Sequence, residues 1–400
     1  MSRRNRLDAV VAGGGVVGAA TALMLAREGL QVALVEPRRP AAWRREARDL
    51  RVYAFAPDNA RLLDELGVWS QVAAARVQPY RGMRVWDAAG GDALAFDADA
   101  LGQRQLGWIV ENALLVDALW QALPAAGVRL HCPARIETLE QHENAVRVGL
   151  DDGLQLEAGL AIAADGADSA LRSLAGIGTT RREYRQQGLV AFVASERPHR
   201  DTCWQRFQPT GPVALLPFFA GDAQASRGRI GSIVWTLPDA AAERLRNADA
   251  GVFERELAAA FGGELGAMRL LSPRAAFPLQ RQLAQTYAQG RVLLLGDAAH
   301  VVHPLAGQGV NLGLRDVAAL RGLVRDASKR GGDIASPQRL ARWARTRKSE
   351  NALSAHAFEA INRAYSNDAL WPTLLRGHAL GIAGKLPPLA RALWRHAAGV

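Results

Sequence analysis

Two stretches of this 400-residue chain carry residue types at spacings suited to chemistry. One runs Val292-Leu293-Leu294-Leu295-Gly296-Asp297-Ala298-Ala299-His300 and on through His303-Pro304-Leu305-Ala306-Gly307-Gln308-Gly309-Val310-Asn311. Gly307 and Gly309 let a ligand approach the main chain closely, because no Cβ stands in the way. A helix starting there presents free backbone N–H groups and about half a positive charge, which favours an anionic group in front of it. Asp297, at the end of an apolar run, sits where a carboxylate accepts hydrogen bonds from the hydroxyls of a polyol. The same stretch also reads Asp-x-x-His-x-x-His through Asp297, His300 and His303, all possible metal ligands. Pro304 and the glycines suit close backbone contact better than a ligand cage, so no metal is expected.

The other stretch is Gly13-x-Gly15-x-x-Gly18, followed by Glu36 at a separation of 36 − 18 = 18 residues from Gly18. Gly13 permits a tight turn, Gly15 the approach of a pyrophosphate, and Gly18 close packing of helix on strand. Glu36 stands near the distance at which an acid accepts both ribose hydroxyls of an adenosine. Arg38 and Arg39 would invite a 2′-phosphate, but Glu36 would repel it, so these residues favour FAD or NAD over NADP at this site. Arg51 is within reach of a pyrophosphate, with a solvated loop arginine as the plainer reading. Ala164-Asp165-Gly166-Ala167-Asp168-Ser169 reads as a strand end and turn, in which Asp168 or Ser169 caps a helix.

These residues need elements to hold them. Leu7–Ala12 reads as a buried strand, followed by a helix to Arg27 and a strand Gln31–Val35; this is the context the glycine fingerprint requires. Tyr80–Trp86 and Ala93–Phe96 are expected as strands joined at Ala89-Gly90-Gly91, with a helix at Asn112–Leu123. Val128–Cys132, Ala145–Leu150 and Gly153–Glu157 are expected to form a small meander. From about Arg181 to Leu279 strand-like runs suggest an inserted antiparallel sheet. Trp204, Phe207, Phe218, Phe219 and Trp235 there would line a pocket or simply fill the sheet's core. Helices are expected at Val310–Val324, Pro337–Asn362 and Leu370–Trp394. The fold class is therefore α/β (α+β): a Rossmann-like nucleotide-binding domain (1–75, 104–180 and 280–330), a β-sheet substrate domain (76–103 and 181–279) and a helical C-terminal region (331–400).

Composition agrees with a globular protein: 49% of residues are hydrophobic and the net charge is +10. Of 49 basic residues only Lys329, Lys348 and Lys385 are lysines. No basic run interleaved with aromatics is present, so nucleic acid is not expected as a partner. Cys132 and Cys203 fit neither a disulfide framework nor a metal knuckle, which points to a reducing cytoplasm. Ser2-Arg3-Arg4-Asn5-Arg6 before an apolar run resembles an export leader, but Gly13, Gly14, Gly15 and Gly18 lie within the run and are costly in a leader helix.

GGGVVG at 13–18, ADGADSALR at 164–172 and GDAAHVVHPLAGQGVNLGLRD at 296–316, in this order, resemble the single-component FAD aromatic hydroxylases. The run 303–313 is similar to the signature of the ubiquinone-biosynthesis hydroxylases within that family, and Arg347-Lys348-Ser349-Glu350-Asn351 matches as well. The resemblance implies that Gly13, Gly15, Gly18 and Glu36 bind the ADP half of FAD, with Arg51 and Asn112 along the cofactor. It further implies that Asp165 lies in a motif contacting the dinucleotides, that Asp297 bonds the ribityl chain, and that Pro304, Gly307, Gln308, Gly309, Val310 and Asn311 hold the isoalloxazine ring. The implied reaction inserts one oxygen atom of O2 into the ring of a polyprenylated phenol or quinol through a flavin hydroperoxide. NAD(P)H, or a separate reductase, would be the electron donor. A hydroxylase of another small aromatic compound, or a non-hydroxylating FAD oxidoreductase, is the alternative on the same scaffold. No general base stands out. The apolar and basic C-terminal stretch, from Leu370 to Arg395, is a candidate surface for peripheral contact with the inner membrane or a biosynthetic partner, and homo-oligomer formation is left open.

Overall fold

The structure, a computed structural model, describes residues 6–90, 92–219, 228–302 and 309–365, with side chains as far as Leu353. The chain opens with β1 (Leu7–Ala12), α1 (Val16–Arg27) and β2 (Val32–Val35). Val16 and every residue from Gly18 to Leu25 are buried, so α1 is an interior helix, apolar all round. The run that resembles an export leader is thus divided between a central strand and this helix.

Next come β3 (Val52–Phe55), α2 (Pro57–Glu65), α3 (Trp69–Ala75), β4 (Gln78–Tyr80), β5 (Gly82–Asp87), β6 (Leu94–Asp97), β7 (Gly107–Glu111) and α4 (Asn112–Ala125). Then follow β8 (Arg129–His131), β9 (Ile136–Gln141), β10 (Val146–Leu150), β11 (Gln155–Ala163), α5 (Ala170–Leu174) and β12 (Thr179–Ser195). β13 (Thr202–Phe207), β14 (Val213–Pro217), β15 (Ile230–Pro238), α6 (Asp239–Asn247), α7 (Ala250–Ala260), β16 (Met268–Leu270) and β17 (Ala275–Ala284) continue the chain. It closes with β18 (Ala288–Gln289), β19 (Val292–Leu294), a single 3-10 turn (Gly296–Ala298), β20 (His300–Val301), α8 (Gly309–Lys329) and α9 (Pro337–Tyr365).

The first sheet has the order β18-β19-β11-β1-β2-β8, and β9 and β10 extend from β11. Its core strands β19, β11, β1, β2 and β8 are mutually parallel. That explains their sequences: parallel strands covered on both faces read as unbroken apolar runs, as in Val292–Leu295 and Leu160–Ala163. The second sheet runs β20-β17-β12-β15-β14-β13-β5-β6, with β16 on β12, and is antiparallel except for the β13–β5 pair. A small sheet, β3-β7-β4, packs Val52, Ala54 and Ile109 against Phe192, Leu216 and Phe218 of the second sheet.

Four local readings change. Tyr80 is not continuous with Gly82–Asp87: it belongs to the small sheet, and the chain crosses to the second sheet at Arg81. The strand near Val128 is no part of a meander but pairs in parallel with β2, while β9, which the polar sequence Ile136–Gln141 conceals, takes its place. α6 and α7 cover one face of the second sheet, burying Leu245, Phe253 and Leu257 against Leu189, Ile233 and Trp235. β20 carries His300 out of the first sheet to pair with β17 of the second. The expected helix at Leu370–Trp394 lies outside the described residues.

Candidate functional site

The parallel strands end in register. Ala12 of β1 pairs with Val35 of β2 and with Ala163 of β11, and Ala163 pairs with Leu294 of β19. One to three residues beyond that row stand Gly13, Glu36, Asp165 and Asp297, so four sequence-predicted site residues share one edge of one sheet. β1 lies where the strand order reverses, between its sequence neighbour β2 and the late strand β11. A crevice at the carboxyl ends beside such a reversal is where open α/β sheets bind ligands.

The three fingerprint glycines have separable tasks. Gly13 has φ of +97°, and a Cβ there would stand 2.4 Å from the Ala164 carbonyl oxygen. A Cβ on Gly18 would stand 1.9 Å from the Gly13 carbonyl oxygen. Both positions exclude a side chain because protein already fills the space. Gly15 differs: with φ of −68° it caps α1, and a Cβ there would meet nothing within 4 Å. Its freedom from a side chain serves no contact with the described residues, which leaves space among them before the N–H groups of α1 that no side chain caps. Neither α1 nor α8 carries an acidic residue in its own first turn, so neither helix neutralises its positive N-terminal end from within. A Cβ on Gly309, at the start of α8, would likewise meet none of the described residues within 4 Å.

Glu36 is turned toward the fingerprint: the Gly14 N–H donates to its Oε2 at 2.5 Å and the Arg38 N–H to its Oε1 at 3.1 Å. The Trp120 indole donates to the Gly14 carbonyl at 2.7 Å and fixes the loop from the α4 side. Asp165 accepts the Leu171 N–H on Oδ2 at 3.2 Å, while its Oδ1 is buried without a hydrogen-bond partner among the described residues. Ser169, one of the two expected caps, accepts the Arg172 N–H and caps α5.

Arg51 and Asn112 meet at Tyr53, whose phenol also senses the Asp297 charge. The Tyr53 hydroxyl donates to Asn112 Oδ1 at 3.0 Å, and the Arg51 guanidinium lies 5.8 Å from its ring centre. Burial pushes the phenol up to about 12; Arg51 opposes this, while Asp297 and Asp49 add to it. Arg51 itself is exposed. The loop before it is pinned by a feature with no signature in sequence, the fully buried Glu111. Its carboxylate accepts from Arg76 Nε at 2.8 Å and Nη2 at 2.7 Å, from Trp43 Nε1 at 3.2 Å and from the Asp49 N–H at 2.8 Å. Asp49 in turn accepts the Ala113 N–H in the first turn of α4, at 2.9 Å.

Asn311 stands in the first turn of α8. Its side chain is buried and used within the protein, accepting from the Ala56 N–H and Asn59 Nδ2 and donating to the Ala54 carbonyl. It locks α8 onto β3 and α2, so only its backbone belongs to the helix start. Val310 is buried in the main core. Pro304, Gly307 and Gln308 lie outside the described residues, as does His303. His300 Nε2 is engaged by Asp316 Oδ2 at 2.6 Å, and among the described residues no cluster of three metal-ligating side chains forms.

Of the aromatic residues considered for a pocket, Phe207, Phe218 and Trp235 are buried in separate core clusters and Trp204 packs against one of them. Phe219 alone among them lines a cavity of about 410 Å³, together with Arg45, Arg48, Arg76, Leu271 and Pro273.

The FAD binding domain family matches residues 6–346. The chain is 36% identical over 395 residues to 3-demethoxyubiquinol 3-hydroxylase of Escherichia coli (strain K12), covering 98% of each chain. It is 37% identical over 396 residues to ubiquinone hydroxylase UbiL of Rhodospirillum rubrum, covering 98% of this chain and 89% of that one. With human ubiquinone biosynthesis monooxygenase COQ6 the identity is 32% over 432 residues, covering 96% and 90%. Among solved structures, Pseudomonas aeruginosa PqsL in complex with 2-aminobenzoylacetate superposes with a TM-score of 0.76 at 23% identity, covering 94% of this chain and 100% of that one. Klebsiella pneumoniae HpxO complexed with FAD and uric acid gives 0.72 at 20%, covering 98% and 97%.

Proposed function

Because the chain belongs to the FAD-dependent aromatic hydroxylases of the ubiquinone-biosynthesis type, we propose that it hydroxylates the ring of a polyprenylated phenol or quinol. The observation that carries this reading is near-full-length identity with relatives named as hydroxylases in ubiquinone biosynthesis. The geometry supports FAD as the resident cofactor: among the described residues, space for a ligand at Gly15 and Gly309, two helix N-termini with no acid in their first turns and a buried Asp165 carboxylate oxygen without a hydrogen-bond partner all suit a long anionic polyol. In this reading Gly13, Gly15, Gly18 and Glu36 hold the ADP half. Arg51, Asn112 and Asp165 lie along the cofactor, and Asp297 bonds the ribityl hydroxyls. Pro304, Gly307, Gln308, Gly309, Val310 and the Asn311 backbone face the ring.

Bound and reduced, FAD supplies the two electrons with which one oxygen of O2 enters the substrate and the other leaves as water. The protein's share is orientation, exclusion of water and fixed dipoles. The N-terminal N–H groups of α8 would stabilise negative charge on the reduced ring without reorganising. The donor is NAD(P)H or a partner reductase. In this reading the residues divide as 1–75, 104–180 and 280–330 for cofactor and 76–103 and 181–279 for substrate. No helix among the described residues is long and apolar enough to cross a membrane. A lipid-borne substrate then calls for a cytoplasmic protein that meets the inner membrane, or a biosynthetic partner, at its periphery.

The test is the absorption spectrum of the purified protein, followed by NAD(P)H and O2 consumption with polyprenylated quinols and with small phenols. A yellow protein whose oxygen uptake is coupled to hydroxylation of the prenylated compounds supports the reading. Uptake coupled only to small phenols, or a colourless protein that takes up no FAD, refutes it.

A further inference from the structure

Asp316 is a fully buried acid on the apolar face of α8, between Leu312 and Leu320. Its Oδ2 accepts the Gly296 N–H at 3.0 Å and meets His300 Nε2 at 2.6 Å. Its Oδ1 accepts from Arg347 Nε at 2.8 Å and from Asn351 Nδ2 at 3.0 Å, both on α9. Arg347 Nη2 also donates to Asn351 Oδ1 at 2.9 Å, and the Arg347 guanidinium pairs with Glu350. The Tyr287 ring stacks on the His300 imidazole with centres 5.9 Å apart.

Gly296 and His300 bracket Asp297. One carboxylate therefore fastens both ends of the turn that carries the expected ribityl ligand, and its other oxygen is held by a helix from the C-terminal region. Packing alone does not call for this, since apolar residues of similar volume fill such a space as well or better. A buried ionic network of this kind fixes direction and charge instead. Burial pushes the Asp316 carboxyl up, but His300, Arg347 and Asn351 outweigh it and hold it below the usual aspartate range, so it is ionised.

We propose that Asp316, with Arg347 and Asn351, is a positioning set for the flavin: α9 holds Asp316, and Asp316 sets the geometry and charge of the Gly296–His300 turn. The inference rests on the FAD reading above. Losing the Arg347 charge makes the surroundings of the turn one unit more negative. That disfavours the anionic reduced flavin and lets the turn relax.

The test uses flavin-loaded full-length protein and three variants, Arg347→Met, Arg347→Lys and Asn351→Ala, read by FAD Kd and flavin midpoint potential. Arg347→Met is expected to raise the Kd at least tenfold and lower the potential. Arg347→Lys, which keeps the charge, should restore most of the potential. Asn351→Ala, which removes a neutral donor, should raise the Kd severalfold and leave the potential unchanged. A folded Arg347→Met protein with wild-type Kd and potential overturns the proposal. Should that variant not fold, wild-type Kd in Asn351→Ala overturns it. A wild-type chain that takes up no FAD overturns this inference and the FAD reading together, whereas a flavin-loaded wild type with unaltered variants overturns this one alone.

Discussion

Gly15→Ala separates ligand space from protein space. At this position φ is −68°, ordinary for any L-residue, and the added methyl meets no atom of the described residues within 4 Å. The apo fold should barely respond. Alanine is a poorer helix cap than glycine but restricts the unfolded chain, and the two effects offset to within about 1 kcal/mol. The methyl does enter the space assigned to the pyrophosphate. Weakening one or two charge-assisted bonds from the α1 amides costs about 1.5–3 kcal/mol, which is roughly ten- to more than a hundredfold in Kd. Gly13→Ala is the internal contrast: with φ of +97° and a Cβ 2.4 Å from the Ala164 carbonyl oxygen, it should damage the apo fold itself. Urea unfolding of the apoproteins, with FAD titration by flavin fluorescence, reads both quantities. A Gly15→Ala protein that binds FAD like wild type would refute the placement of the pyrophosphate. Loss of apo stability equal to that of Gly13→Ala would refute the claim that the space belongs to a ligand.

Asp297→Ala should weaken FAD binding by about 1.5–3 kcal/mol, the worth of a charge-assisted bond; an unchanged Kd would show that the carboxylate faces elsewhere. Glu111→Gln strands the Arg76 guanidinium, whose partner is fully buried, and should cost about 3–5 kcal/mol in urea unfolding; a change below 1 kcal/mol would mean the pair is dispensable to the loop before Arg51. Tyr53, raised from 10.0 to about 12 in the folded state, contributes stability that is present below pH 10 and lost as pH rises toward 12. Tyr53→Phe should therefore show a shallower fall in stability over that interval, and an identical alkaline slope would contradict the assignment. Exhaustive chelation should leave turnover intact, and a loss restored only by added zinc or iron would revive a metal at His300.

Much of the site was legible because it is built from backbone conformation and strand ends. Gly13, Glu36, Asp165 and Asp297 each lie just past an apolar run, runs of that kind announce parallel strands, and Gly15 and Gly18 follow Gly13 at the fingerprint spacing. What stayed hidden depends on long-range side-chain pairing. Nothing near Glu111 in sequence foretells Arg76 and Trp43 as its partners, and nothing near Asn311 foretells that its side chain is spent on β3 and α2. Asp316 did leave a trace, an acid within the apolar stripe of α8, but two of its partners come from the turn before α8 and two from a helix that begins 21 residues later (337 − 316). β9 and β8 were misassigned for a related reason. Ile136–Gln141 is an outlying, largely exposed strand without an apolar run, and Arg129–His131 is an edge strand too short to show a period.

The central claim, FAD-dependent hydroxylation of a polyprenylated quinol, is tested most directly by isotope. Protein reduced anaerobically and then exposed to 18O2 with a polyprenylated quinol lacking one ring hydroxyl should yield product carrying one labelled oxygen, with one equivalent of reduced flavin consumed per product. Product oxygen drawn from water, or flavin reoxidation that yields only hydrogen peroxide while the quinol is recovered unchanged, would contradict it.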